Sequence, residues 1–139
     1  MENESATYYI FSEQRLSSLY AKAFNTAAEA YQNEEYEKAI ANFDRVKLIN
    51  PDDTLAYMYA GYAAQQLDDT ELALENFHAL IDKNMADVQV FRNMIYIYRS
   101  VLKDTAQAIE IVKQGREAFP EDHDLKQDEI TMLIMANRV

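Results

Sequence analysis

The feature that most restricts this chain is that it repeats itself. Displaced by 34 residues, Ala39 falls on Ala73, Phe43 on Phe77, Glu37 on Glu71 and Asp53 on Asp87. The same displacement puts Ala27 on Gly61 and Tyr57 on Phe91, and two such steps carry Asn25 to Asn93. A further displacement of 35 takes Ala73 to Ala108 and Asp87 to Asp122, and Pro51 and Pro120 stand 69 residues apart. The one extra residue is expected near Leu102-Lys103-Asp104. A unit this short cannot bury its apolar face alone, so successive copies must stack on one another.

The period inside each unit is helical. Positions 36, 39, 40, 43, 46 and 47 follow the i, i+3, i+4, i+7 template, and all but Lys47 are apolar or aromatic. Ala60, Gly61 and Ala64 place small residues on one face. With two glycines and two prolines in 139 residues there is little material for turns. Turn signals nevertheless recur at Asn33-Glu34-Glu35, Asn50 to Asp53, Asp68-Asp69-Thr70, Lys83-Asn84, Lys103-Asp104-Thr105 and Phe119 to Asp122. They divide the chain into helices expected near 18–32, 36–49, 54–67, 70–83, 88–102, 105–118 and 122–136. Asp53, Thr70, Asp104 and Asp122 are suited to cap helix starts, because their side-chain oxygens accept the orphan amides there. Tyr8-Tyr9-Ile10-Phe11 is the single β-like cluster, and it can equally extend the first helix.

These residues resemble the tetratricopeptide repeat pattern. That family places a small residue in mid first helix, where this chain has Ala27, Gly61 and Ile95. It places an alanine early in the second helix, here Ala39, Ala73 and Ala108, and an aromatic four residues on, here Phe43, Phe77 and then Val112. It closes on proline, where Pro51, Met85 and Pro120 stand. Ile95, Met85 and Gly115 depart from the pattern, all in or beside the third repeat. The resemblance implies an all-α superhelix, a solenoid of about seven helices in antiparallel hairpins. Residues 1–17 would form an N-terminal segment that can extend the first helix. Residues 18–122 would hold three repeats, about 20–53, 54–87 and 88–122. Residues 123–139 would be a capping helix or the first half of a truncated fourth repeat.

The resemblance also implies a concave face lined by the first helix of each repeat. Carried over, this gives Ala21, Phe24, Asn25, Ala28, Tyr31 and Gln32, then Leu55, Met58, Tyr59, Tyr62, Gln65 and Gln66, then Gln89, Arg92, Asn93, Tyr96, Arg99 and Ser100. The set contains no carboxylate, although the chain carries 24 acids against 13 bases and a net charge of −11. The expected peptide-binding residues are Asn25, Tyr31, Tyr59, Tyr62, Gln66, Arg92, Asn93, Tyr96 and Arg99. Arg92, Tyr96 and Arg99, at i, i+4 and i+7, would form one stripe able to anchor an acidic group. Alternatively the two arginines neutralise turn acids such as Asp68, Asp69 and Asp87. The family's clamp for a C-terminal carboxylate is absent, since its places hold Phe24, Ala28, Tyr59, Gln89 and Asn93. Chaperone-tail binding of that kind is disfavoured.

Other functions are disfavoured on simple grounds. A strongly acidic chain repels nucleic acid and anionic membrane surfaces. No apolar run approaches the roughly 18 residues of a membrane span, and the start Met1-Glu2-Asn3-Glu4 is acidic where a secretory signal is basic. A cytoplasmic location is expected if that start is native. There is no cysteine, and the two histidines, His78 and His123, are 45 residues apart, so no metal site or cofactor is expected. No phosphate-binding glycine loop or serine nucleophile motif is present, and the paired acids sit at turns. The expectation is a protein-protein interaction scaffold that is not an enzyme. The alternatives are a small acidic secretion chaperone, pairing through the segment from Tyr8 to Leu19, or a structural piece of a longer array. In the last helix Leu125, Leu133 and Ala136 can pack back on the third repeat. Ile130, Met132, Ile134 and Met135 spread around it, which points to a longer array or to self-association.

Overall fold

The structure is a computed structural model that describes the backbone of residues 2–137 and, apart from positions 2–4 and 7–11, their side chains. Among the described residues the chain forms seven α-helices and no strand. They are α1 (Glu2–Gln32), α2 (Tyr36–Ile49), α3 (Thr54–Gln66), α4 (Thr70–Asp82), α5 (Val88–Tyr96), α6 (Thr105–Ala118) and α7 (His123–Asn137). The helix through the Tyr8 to Phe11 cluster is continuous with α1; the side chains of that cluster lie outside the described residues. No helix among the described residues is long and apolar enough to cross a membrane. The chain separates into two compact units, Met1–Asn76 and Phe77–Val139.

Aspartates set most helix starts. Asp53, Asp87 and Asp104 each accept the amide of the residue three positions on, at 3.0 to 3.1 Å, and Asp122 accepts that of Leu125 at 2.9 Å. For α4 the expectation needs correcting by one residue. Asp69, not Thr70, takes the amide of Leu72 at 3.1 Å, because a carboxylate one position earlier already reaches the open amide.

Helix ends are closed without glycine. Glu34, Asp68, Asn84 and Lys103 adopt left-handed backbone at φ 62°, 57°, 57° and 57°. The residues after the first three donate back to Ala30, Ala64 and Leu80 at 2.8 to 2.9 Å, satisfying carbonyls that the helix leaves open. Left-handed backbone costs an L-residue with a Cβ on the order of 1–2 kcal/mol. Glu34→Gly and Lys103→Gly are therefore each expected to raise stability by about 0.5–1 kcal/mol in urea unfolding, the remainder being lost to glycine's freer unfolded chain.

The extra residue of the third repeat is not in the turn where the sequence placed it. The left-handed residue precedes the next helix by two positions at Asp68/Thr70 and again at Lys103/Thr105, so those turns are equally long. The insertion is absorbed upstream, where α5 runs on into a π-helical turn, Ile97–Val101. There Leu102 donates to Ile97 at 2.9 Å, and Asp104 reaches back to Tyr98 at 2.7 Å. A π turn takes one more residue per hydrogen-bonded loop than an α turn, so an inserted residue costs the helix no break.

In the first unit small residues bring three helices together. Ala23, Ala27 and Ala30 of α1, Ala39, Phe43 and Val46 of α2, and Ala56 and Ala60 of α3 form one buried cluster. Alanines lower the distance between helix axes, and the Phe43 ring fills the wedge that remains. In the second unit α5, α6 and α7 meet at Gly115. A Cβ there would lie 3.2 Å from the Phe91 ring and 3.3 Å from Leu125. Gly115→Val is thus expected to destabilise by about 2 kcal/mol through overpacking, read as a fall in thermal midpoint.

The last helix is held by one of the three residues expected to hold it, Leu125, together with Met132. Leu125 and Met132, seven apart on one face, are buried, whereas Leu133 and Ala136 are exposed. Ile130, Ile134 and Met135 are also exposed. Asp124 and Asp128 of α7 lie 3.2 and 3.8 Å from Arg92, and Glu129 lies 3.6 Å from Arg116.

Candidate functional site

In the first unit, three of the expected binding residues come together. The Tyr59 ring lies edge-on to Tyr31 at 5.0 Å and to Tyr62 at 5.9 Å, and it stacks on Phe43 at 6.1 Å. Tyr31 also meets Tyr36 at 5.7 Å, while Phe43 continues the series to Phe24 at 6.2 Å and Phe24 to Tyr20 at 6.0 Å. Such pairs add about 0.5–1.5 kcal/mol each beyond the area they bury. The tyrosines are half-buried, so each ring has one side in the core and one edge toward solvent. Asn25 and Gln66 are exposed.

Tyr20 anchors this series to the start of α3. Its phenol donates to Asp53 Oδ2, while Asp53 Oδ1 accepts the Ala56 amide. That hydrogen bond, then burial and the Asp53 charge, raise the Tyr20 phenol above its ordinary pKa. Burial raises Tyr31, helped by Tyr36 and Tyr59, and burial followed by the Asp104 charge raises Tyr98. In each case the folded state holds the phenolic proton more tightly than the unfolded chain. The stability this brings is complete below the unfolded value of about 10 and is lost as pH rises through the folded value. Stability is therefore expected to fall above about pH 10. Tyr20→Phe should make that fall shallower, which urea unfolding at stepped alkaline pH would register.

In the second unit, the expected stripe divides. Arg92 is turned to α7 and paired with Asp124 and Asp128. Its Nε is buried without a hydrogen-bond partner. Tyr96 is exposed and Asn93 half-buried. Arg99 sits within the π turn, where the winding is no longer that of the α-helix that carries Arg92 and Tyr96. Among the described residues Arg99 forms no ion pair. His78 Nε2 and the Tyr98 hydroxyl are hydrogen-bonded at 2.8 Å, which gives this histidine a structural partner. No group of three or more His, Cys, Asp or Glu among the described residues is placed to hold a metal ion.

Two buried asparagines outside the expected set, and Lys47, hold the first unit together through polar contacts. Asn42 and Asn76 are buried, and each donates to the carbonyl four residues earlier, Lys38 and Leu72, at 2.9 Å. They stand 34 residues apart, one position before Phe43 and Phe77, so the self-comparison contained the signal. Lys47, the one polar member of an apolar template, donates to Asn76 and Asp44 and lies 4.8 Å from the centre of the Tyr57 ring. It thereby links α2, α3 and α4.

Two clefts, one in each unit, are lined by residues outside the expected set. A cleft of about 450 Å³ runs between α1 and α2 beside Leu19, Ala23, Leu48 and Ile49. Another of about 460 Å³ lies beside His78, Phe91, Gln114 and Glu117.

No family model matches the chain, and no curated protein sequence matches it significantly. Solved structures do. A MamA RS-1 double mutant superposes with a TM-score of 0.66 at 18% identity, covering 90% of this chain and 75% of that one. The Arabidopsis OM64 TPR domain superposes with a TM-score of 0.60 at 16% identity, covering 81% of this chain and 93% of that one. At such low identity the likeness speaks for backbone architecture, and it agrees with the 34-residue period, the alanine positions and the helix order: the chain has the fold of the tetratricopeptide repeats.

Proposed function

We propose that the chain is a protein-protein interaction scaffold, not an enzyme, that holds a peptide or helix of a partner protein on the first helices of its hairpins. In the first unit Asn25, Tyr31, Tyr59, Tyr62 and Gln66 supply the contacts, and in the second Asn93, Tyr96 and Arg99, beside Arg92. The observation that carries this reading is the half-buried Tyr31–Tyr59–Tyr62 series. Rings fixed by the core lose little freedom on binding, and tyrosine and arginine are enriched in interface cores. Because Arg92 is already paired within the chain, Arg99 is the cation that meets an acidic group of the partner. Arg92 serves by positioning α7.

Affinity capture from the native cell extract tests this with three baits: the wild type, Tyr62→Ala and Arg99→Glu. Loss of the captured partner with either variant, both remaining helical, supports the reading. An unchanged set of partners contradicts it. The exposed Ile130, Leu133 and Ile134 of α7 favour a second reading, self-association through this helix. Light scattering tests it, and a monomer at high concentration speaks against it.

A further inference from the structure

We infer that the cleft between α1 and α2 is a second docking seat, separate from the tyrosine face, for an amphipathic helix of a partner protein whose apolar stripe is flanked by carboxylates.

The repeat itself indicates that a helix fits here. Ala23, Thr26 and Asn42, which line the cleft, stand one 34-residue step before Tyr57, Ala60 and Asn76. In the second repeat those three positions are covered by α2. Its Lys47 ammonium lies over the Tyr57 ring and donates to Asn76, and its Val46 shares a buried cluster with Ala60. The first repeat presents the same surface with no helix on it among the described residues. Its walls are apolar and open to solvent: Leu19 is 46% and Leu48 84% exposed. Contiguous exposed apolar surface rimmed by polar residues marks interaction sites, and here the two leucines flank Ala23 and Ile49 in one cleft.

The charges at the rim specify the occupant. The cleft is lined by Lys22 and Arg45 and by no carboxylate, in a chain whose acids outnumber its bases 24 to 13. Neither cation forms an ion pair among the described residues. The cation that α2 brings to Asn76 is replaced here by one built in, since the Arg45 guanidinium stands 3.5 Å from Asn42 Oδ1. A helix seating on this surface therefore needs no lysine of its own. It meets two unpaired cations, and carboxylates beside its apolar stripe complement them. A second copy of this acidic chain fits less well, because its net charge of −11 opposes self-association.

The test uses two synthetic, end-capped, fluorescein-labelled helical peptides with the same leucine-alanine stripe, one flanked by glutamate and the other by lysine. Fluorescence anisotropy against the full chain is expected to show saturable binding of the glutamate peptide, with the lysine peptide weaker by about tenfold or more. Leu48→Glu and Arg45→Glu, at exposed positions that leave the fold intact by circular dichroism, should each weaken the glutamate peptide about tenfold. Tyr62→Ala should leave it unchanged. No binding of either peptide, equal binding of both, or indifference to Leu48→Glu overturns the proposal. So does light scattering that shows the unliganded chain self-associating in a manner Leu48→Glu abolishes, since the seat is then filled by a second copy.

Discussion

Phe43→Ala is expected to destabilise the first unit by about 4 kcal/mol. The ring is 1% exposed and sits at the centre of the alanine cluster. It stacks on Tyr59 and meets Phe24 edge-on. Truncation removes the transfer energy of the ring and leaves a cavity that alanines cannot fill, because they have no side chain to move into it. It also uncouples the two halves of the aromatic series. With ten tyrosines and no tryptophan, tyrosine fluorescence in a urea titration reports the loss directly. Phe43→Leu, which keeps most of the volume, should cost only about 1 kcal/mol. Repeat proteins distribute stability through neighbouring contacts. Amide exchange in the alanine variant should therefore quicken first in α1, α2 and α3. An equal loss of protection in α6 and α7 would mean that the two units unfold as one.

Asp53→Ala should cost about 2–3 kcal/mol, because one side chain does two jobs. It caps α3 through the Ala56 amide, and it receives the Tyr20 phenol. Removal forfeits a cap of about 1 kcal/mol and leaves a partly buried hydroxyl without its partner at about 1–2 kcal/mol. Tyr20→Phe should cost about 1 kcal/mol alone. The double variant should cost less than the two together, by roughly 1 kcal/mol, since the residues share one interaction. Additive losses would show that Tyr20 and Asp53 act independently in solution. Asp53→Asn keeps a capping oxygen and should fall between the wild type and the alanine variant.

Much of the architecture was legible because it depends on size and period, both of which are written directly in the residues. Ala27, Ala39 and Ala73 are buried, and the turns at Asn33 and Asp68 end helices within a residue of their expected places. What the sequence left hidden depends on partners distant in the chain. The Tyr20 phenol bonds a residue 33 positions away, and nothing local announces it. Lys47 is a visible break in an apolar pattern, but its role emerges only when α3 and α4 are in place around it. The inserted residue shows in the sequence only as a step of 35 in place of 34 between Ala73 and Ala108, which does not say whether turn or helix holds it; the helix before the turn took up the slack by widening. On the candidate site, adjacency in the repeat brought Tyr31, Tyr59 and Tyr62 together. The arginine stripe assumed a regular helix and an unoccupied Arg92, and the π turn and the α7 carboxylates removed both conditions.

Whether a partner protein lies against the first helices can be read by site-specific photo-crosslinking. A photoreactive residue would be placed at exposed first-helix positions, Asn25 and Gln66, and at exposed second-helix positions, Glu71 and Glu110. Each variant would be irradiated in the native extract. Discrete cross-linked products are expected from Asn25 and Gln66 and none from Glu71 or Glu110. Products from the second-helix positions with none from the first would contradict it.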